Sequence, residues 1–130
     1  MPTQPSPNPG ADLIRIHRVI TRALEVSLEE CQGSGPAPAL RQGFHSYVLS
    51  LASAVHAHHL GEDEVAFPFW QKMEPQLPID QLSITHRLIL PLLDRLHFWL
   101  EAGDSAWEPA SIAHLRAVLT ALISLWLSSS

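Results

Sequence analysis

The chain has a single cysteine, Cys31, in 130 residues. It can form no internal disulfide, and a reducing compartment is allowed. Positive charge is also scarce: Lys and Arg number eight against thirteen Asp and Glu, giving a formal net charge of −5 and a pI of about 5.8. Binding a phosphate backbone calls for a basic face, which eight scattered cations do not make, so no nucleic-acid partner is expected. Long apolar runs are missing as well. The longest, 112–127, contains His114 and Arg116 and falls short of the roughly 20 residues that span a bilayer. The opening M-P-T-Q-P-S-P-N-P-G has neither the positive start nor the apolar stretch of a secretory signal. The expectation is a soluble, cytoplasmic protein with no membrane partner. No window alternates apolar and polar residues with the period of two that a half-buried strand requires.

What is present suits one helical domain. Hydrophobic residues make up 46% of the chain, enough to fill one core at this length. Residues 1–10 carry four prolines and little to bury, so a loose tail is expected there and the domain at 11–130. Four segments with helical period follow, at about 12–31, 39–72, 80–102 and 109–127. Their expected core lines are Leu13, Ile16, His17, Ile20, Leu24 and Leu28; then Phe44, Tyr47, Leu51, Val55, His58, Glu62, Val65 and Phe69; then Leu82, His86, Ile89, Leu93, Leu96, His97 and Leu100; and last Ile112, Leu115, Leu119, Leu122 and Trp126. Pro68 is expected to bend or stop the second helix near its end, and Pro91 to kink the third. Short loops between four helices predict an all-α, up-down-up-down four-helix bundle.

Histidine is where this chain spends its polar residues. The stretch V-H-A-H-H-L-G-E-D-E-V-A-F-P-F-W, residues 55–70, sets His56, His58 and His59 against Glu62, Asp63 and Glu64. Imidazole beside carboxylate is a donor set that transition metals prefer. His58 and Glu62 are four residues apart and stack on one helix face, on the line expected to face the core. A carboxylate buried there needs a partner, and a cation supplies one. His17 and His86 fall about five and six residues into the first and third helices, which run the same way. At ~1.5 Å per residue they reach similar heights. The second helix runs oppositely, so its late His58–Glu62 pair reaches the same tip. His17, His58, Glu62 and His86 are therefore the expected metal ligands. His59 and Asp63 form a second such pair, rotated by ~100°, and could ligate a second ion or hydrogen-bond the first set of imidazoles. His56 and Glu64 are expected to be solvated. His45, His97 and His114 lie towards the other end, with His97 facing inward ~16 Å from His86.

At these residues the chain resembles a known family. H-H-L-G-E-D-E-V-A-F-P resembles the H-H-x-x-E-E-x-x-L-F-P signature of hemerythrin-like, or HHE cation-binding, domains. L-I-R-I-H-R-V-I resembles the family's first helix with its single histidine, here His17, and T-H-R-L-I-L-P-L-L resembles the start of its third, here His86. The resemblance covers residues 12 to about 102. It implies a four-helix bundle holding non-heme iron, often as a bridged pair. Members of the family bind oxygen, sense oxygen or iron, handle nitric oxide or peroxide, or act as oxidases. It also implies that His17, His58, Glu62 and His86 are ligands, with His59 at a position that is variably one. The chain departs from the pattern in its fourth helix, where the family carries a further histidine followed by an acid. Here that level reads A-L-I-S-L-W-L-S-S-S, with no ligand-grade residue in 121–130. Trp126 and Leu127 are candidates for the vacated place. Three explanations stand open: one metal with open positions, a two-metal centre completed by His59, Asp63 or a second subunit, or a chain truncated before its last ligands.

The expected function is a non-heme iron protein, mononuclear or dinuclear, that binds or activates dioxygen, peroxide or nitric oxide. Manganese or zinc is the substitute metal. An oxidase or oxygenase is the expected enzyme class if the protein is one. The alternatives are a metal or gas sensor and a metal-free helical interaction module, with homodimerisation through the apolar fourth helix as a further expectation.

Overall fold

The structure is a computed structural model that describes residues 9–62, 67–76 and 79–128. Among the described residues there are five helices: α1 Pro9–Glu30, α2 Arg41–Gly61, α3 Phe67–Met73, α4 Ile79–Leu100 and α5 Pro109–Ser128. Short 3-10 turns at Pro38–Leu40 and Gly103–Trp107 lead into α2 and α5. No strand occurs among the described residues. The long helices pack α1 on α2, α2 on α4, α4 on α5 and α5 back on α1. That closed ring, in chain order, is the up-down-up-down bundle its short connections dictate.

Each long helix buries one stripe at spacings of three and four. In α1 the stripe is Ile20, Leu24 and Ser27, continued by Cys31 just past its end; in α4 it is His86, Ile89, Leu93, Leu96, Trp99 and Leu100. In α5, Ile112, Leu115, Leu119, Leu122 and Trp126 are all buried, joined by Val118. By length and composition α5 is apolar enough to cross a membrane, longer than the run read from the sequence. Part of its hydropathy comes from this inward stripe and part from Ile123, Leu125 and the exposed Leu127, while Ala113, His114, Ala117, Thr120, Ala121 and Ser124 make a small, weakly polar outer face.

Several expectations are corrected. The first helix starts at Pro9, so residues 9 and 10 belong to it; residues 1–8 of the expected tail lie outside the described residues. Pro9 sits in the first turn, where its missing N–H and fixed φ carry no cost. The second helix does not run unbroken to residue 72: α2 ends at Gly61 and α3 begins at Phe67. Pro68 is the second residue of α3, a first-turn position that proline tolerates, so it opens a helix where it was expected to end one. In α2 the buried residue after Phe44 is Val48, while Tyr47 is 41% exposed. Ile16 and Phe69 are also exposed, and so is His97. Leu13, Val65 and Leu82 fall where side-chain placement is not described.

The end of the bundle away from residue 126 is closed by polar staples. Gly33 and Gly35 take positive φ values of 62° and 84°, a conformation that costs glycine little. The turn they make carries Cys31 and Gly33 past α5, where Arg116 donates from Nε and Nη2 to the Cys31 carbonyl at 3.0 and 2.7 Å and from Nη2 to the Gly33 carbonyl at 2.8 Å. These bonds satisfy carbonyls that a helix terminus leaves unpaired. His45 Nε2 donates to the Leu100 carbonyl at 2.7 Å, and Trp99 Nε1 to the Ala106 carbonyl at 3.0 Å. Burial holds the Cys31 thiol neutral by raising its pKa to about 11. Replacing Arg116 with Met keeps the aliphatic stem and removes the charge-assisted bonds, so Arg116→Met is expected to lower unfolding free energy by about 1.5–3 kcal/mol, read as a lower urea midpoint with unchanged slope.

Candidate metal centre

The opposite tip is built where the apolar stripes end. His17 lies one turn ahead of Ile20 in α1, and His86 one turn ahead of Ile89 in α4, so each continues its helix's inward face. In α2 the buried line runs Val55, His58, His59 and Glu62, broad enough to bring in both members of the histidine pair. The Glu62 backbone N–H closes the helix by bonding the carbonyls of His58 and His59. In α5 the last buried residue is Trp126.

These side chains meet. Glu62 is 8% exposed, and His58, His59 and His86 are 6%, 4% and 2% exposed. One Glu62 oxygen, Oε1, is paired with His58 Nε2; the other, Oε2, is 3.6 Å from His86 Nε2. The His17 and His58 rings are 6.1 Å apart, His58 and His59 6.2 Å, and His59 and His86 stack at 3.9 Å. Trp126 forms the fourth wall. Its indole stacks on His17 at 4.4 Å with a 12° interplanar angle and lies 5.3 and 5.4 Å from His58 and His59.

The electrostatics favour neutral imidazole. Burial lowers the pKa of His17, opposed by a hydrogen bond to the Trp126 backbone. Burial, reinforced by the neighbouring imidazoles of His86, His58, His56 and His17, lowers that of His59 to about 3. Neutral imidazole is the form that coordinates a metal. His17 Nε2, His58 Nδ1 and both ring nitrogens of His59 are buried with no hydrogen-bond partner. A buried polar atom without a partner costs several kcal/mol by transfer estimates, so this concentration at one tip fits a group that would take up those lone pairs. Among the described residues, no three donors are arranged as they stand to hold an ion; the rings stack on each other and on Trp126. Donor type, burial and unsatisfied capacity fit a borderline cation.

The structure thus gathers His17, His58, His59, Glu62 and His86 at one tip. Asp63 lies outside the described residues. His45 is at the far end on Leu100, and His56, His97 and His114 are exposed. Sequence reasoning missed Thr21. Its hydroxyl donates to the His17 carbonyl at 2.8 Å and accepts from Trp126 Nε1 at 2.8 Å. The available signal was its place four residues after His17, on the same face.

A comparison with protein families finds the Hemerythrin HHE cation binding domain over residues 8–128. The match takes in α5, which the quoted motifs do not reach. No curated protein and no solved structure matches the chain. With nearly its whole length matched, the chain belongs to the hemerythrin HHE cation-binding family and is a metal-binding helical protein.

The neutral imidazoles also set a pH dependence. The folded-state pKa of His17 and of His59 lies below the free value of 6.5, so the unfolded chain binds more protons as pH falls. Their contribution is complete above pH 6.5 and is lost progressively as pH drops towards 3. The metal-free protein should melt at a lower temperature at pH 5 than at pH 7, and His59→Phe should flatten that slope. An equal midpoint at both pH values would contradict buried neutral imidazoles.

Proposed function

We propose that this hemerythrin-family chain holds non-heme iron with His17, His58, Glu62 and His86, and that dioxygen, peroxide or nitric oxide binds or is activated there. His59 is a further ligand, or the neighbour that hydrogen-bonds what binds. The observation that carries the reading is Glu62, a carboxylate buried between His58 and His86 and ringed by imidazole nitrogens without partners. Iron, when bound, would supply a redox-active Lewis acid with positions left for a small ligand. The protein's own part is separable from that chemistry. Glu62 supplies the negative charge that offsets a cation. The imidazoles donate lone pairs without adding positive charge. Trp126, with the apolar stripes behind it, keeps bulk water from one side of the site, which strengthens every charge interaction inside. Manganese and zinc accept the same donors, so metal identity belongs in the test.

One observation favours a second reading. The stacked, non-convergent rings are what a metal-free helical interaction module would show. Metal analysis separates the two.

Protein purified without oxygen and supplied with Fe(II), Mn(II) or Zn(II) should retain iron after desalting and melt at a higher temperature for it. No retention and no thermal shift with any of the three ions would leave the interaction module as the reading. His58→Ala should lose most of the metal. It should also destabilise the metal-free fold by about 3–5 kcal/mol, since Glu62 keeps only the more distant His86. His45→Ala should leave metal content unchanged. With reductant and air, the iron-loaded protein is expected to consume oxygen beyond a stoichiometric burst; consumption that stops at the burst would rule out activation in favour of simple binding.

A further inference from the structure

The site has four walls, and three of them carry donors. We infer that α5 positions a ligand instead of supplying one, and that the chain accordingly holds a single metal ion. The inference rests on the metal-binding reading above and adds nuclearity and the role of Trp126 and Thr21.

Donor supply gives the first argument. Among the described residues the tip offers four imidazoles and one carboxylate, all from α1, α2 and α4. On α5 the residue at this level is Trp126, whose indole nitrogen only donates. The hydroxyls nearby are turned into their own helix: Ser124 Oγ donates to the Thr120 carbonyl and Ser128 Oγ to those of Ser124 and Leu125. One octahedral ion needs roughly six positions, which four imidazoles and a carboxylate nearly fill. A second ion would need about as many again; the fourth wall holds none, and Asp63, the one other candidate donor read from the sequence, lies outside the described residues.

The second argument is what α5 does instead. Trp126, Thr21 and His17 form a closed clamp. The indole N–H is held by the Thr21 hydroxyl, and that hydroxyl donates back to the His17 carbonyl. The indole plane lies flat on the His17 ring, and that ring also hydrogen-bonds the Trp126 backbone. Burial leaves His17 Nε2 as the ring atom without a partner. An imidazole whose one nitrogen is fixed by a backbone carbonyl, with its other nitrogen bare, is the arrangement that orients a metal-ligating histidine. His17 is the least buried of the four histidines at the tip and lies in the first half of α1, so it has most need of such a hold. Trp126 and Thr21 are positioning residues.

The test loads the full chain anaerobically with excess Fe(II), desalts it and measures iron per chain. One ion is expected. Two per chain would overturn the inference while sparing the metal-binding reading; none would overturn both. Thr21→Val and Trp126→Phe should each keep one ion per chain and an unchanged circular-dichroism spectrum, with the dissociation constant raised about tenfold. Unaltered affinity in both variants would overturn the positioning role, and Thr21→Val keeps that test open if the tryptophan variant fails to fold. Titration with Fe(II) should also quench tryptophan emission in the natural chain and far less in Trp126→Phe. Equal quenching in the two would place the ion away from the indole and overturn the assignment.

Discussion

A carboxylate inside an apolar bundle must have company. Glu62 sits near the end of α2 with little exposure, where an isolated negative charge would cost far more than the few kcal/mol that separate folded from unfolded chains. Its partners come from two different helices, His58 from its own and His86 from α4. That requirement sets the relative heights of α2 and α4, and His17 extends it to α1. A shift of α4 by one residue would turn His86 by ~100° and take that imidazole away from the carboxylate.

The two ends of the molecule divide the work. The tip with the histidines has several buried nitrogens without partners. The far end has its carbonyls capped by Arg116 and His45 and an aromatic cluster of Phe44, Trp99 and Trp107. Concentrating satisfied hydrogen bonds and aromatic burial at one end lets the other carry polar groups that lower its stability. Sites that need preorganised, incompletely satisfied donors are commonly supported this way by rigid surroundings.

Much of this was legible in the residues because a helix repeats every 3.6. The α5 stripe follows from the spacing of Ile112, Leu115, Leu119, Leu122 and Trp126 alone, and the common level of His17, His58, Glu62 and His86 follows from rise per residue and chain direction. Period alone does not separate i+3 from i+4. That is why Tyr47 stood in for Val48, and why His97, three turns beyond His86, was placed inside where Leu96, Trp99 and Leu100 leave no room for it. Pro68 gives no direction by itself, because proline marks helix starts and helix ends alike. The Thr21 clamp was invisible for another reason: a hydroxyl has no periodic signature, and its partners are named only once α1 and α5 are side by side.

Cys31 closes the far end of α1, fully buried, with its thiol held at a pKa of about 11. At neutral pH only about one molecule in ten thousand carries the reactive thiolate. Sulfur chemistry and the proposed oxidant chemistry are thus kept at opposite poles of the bundle. Peroxide formed or released at the histidine tip would find this chain's one thiol buried and protonated, so sulfenylation of Cys31 is suppressed by architecture, and among the described residues the exposed thioether of Met73 is the sulfur left open to oxidation.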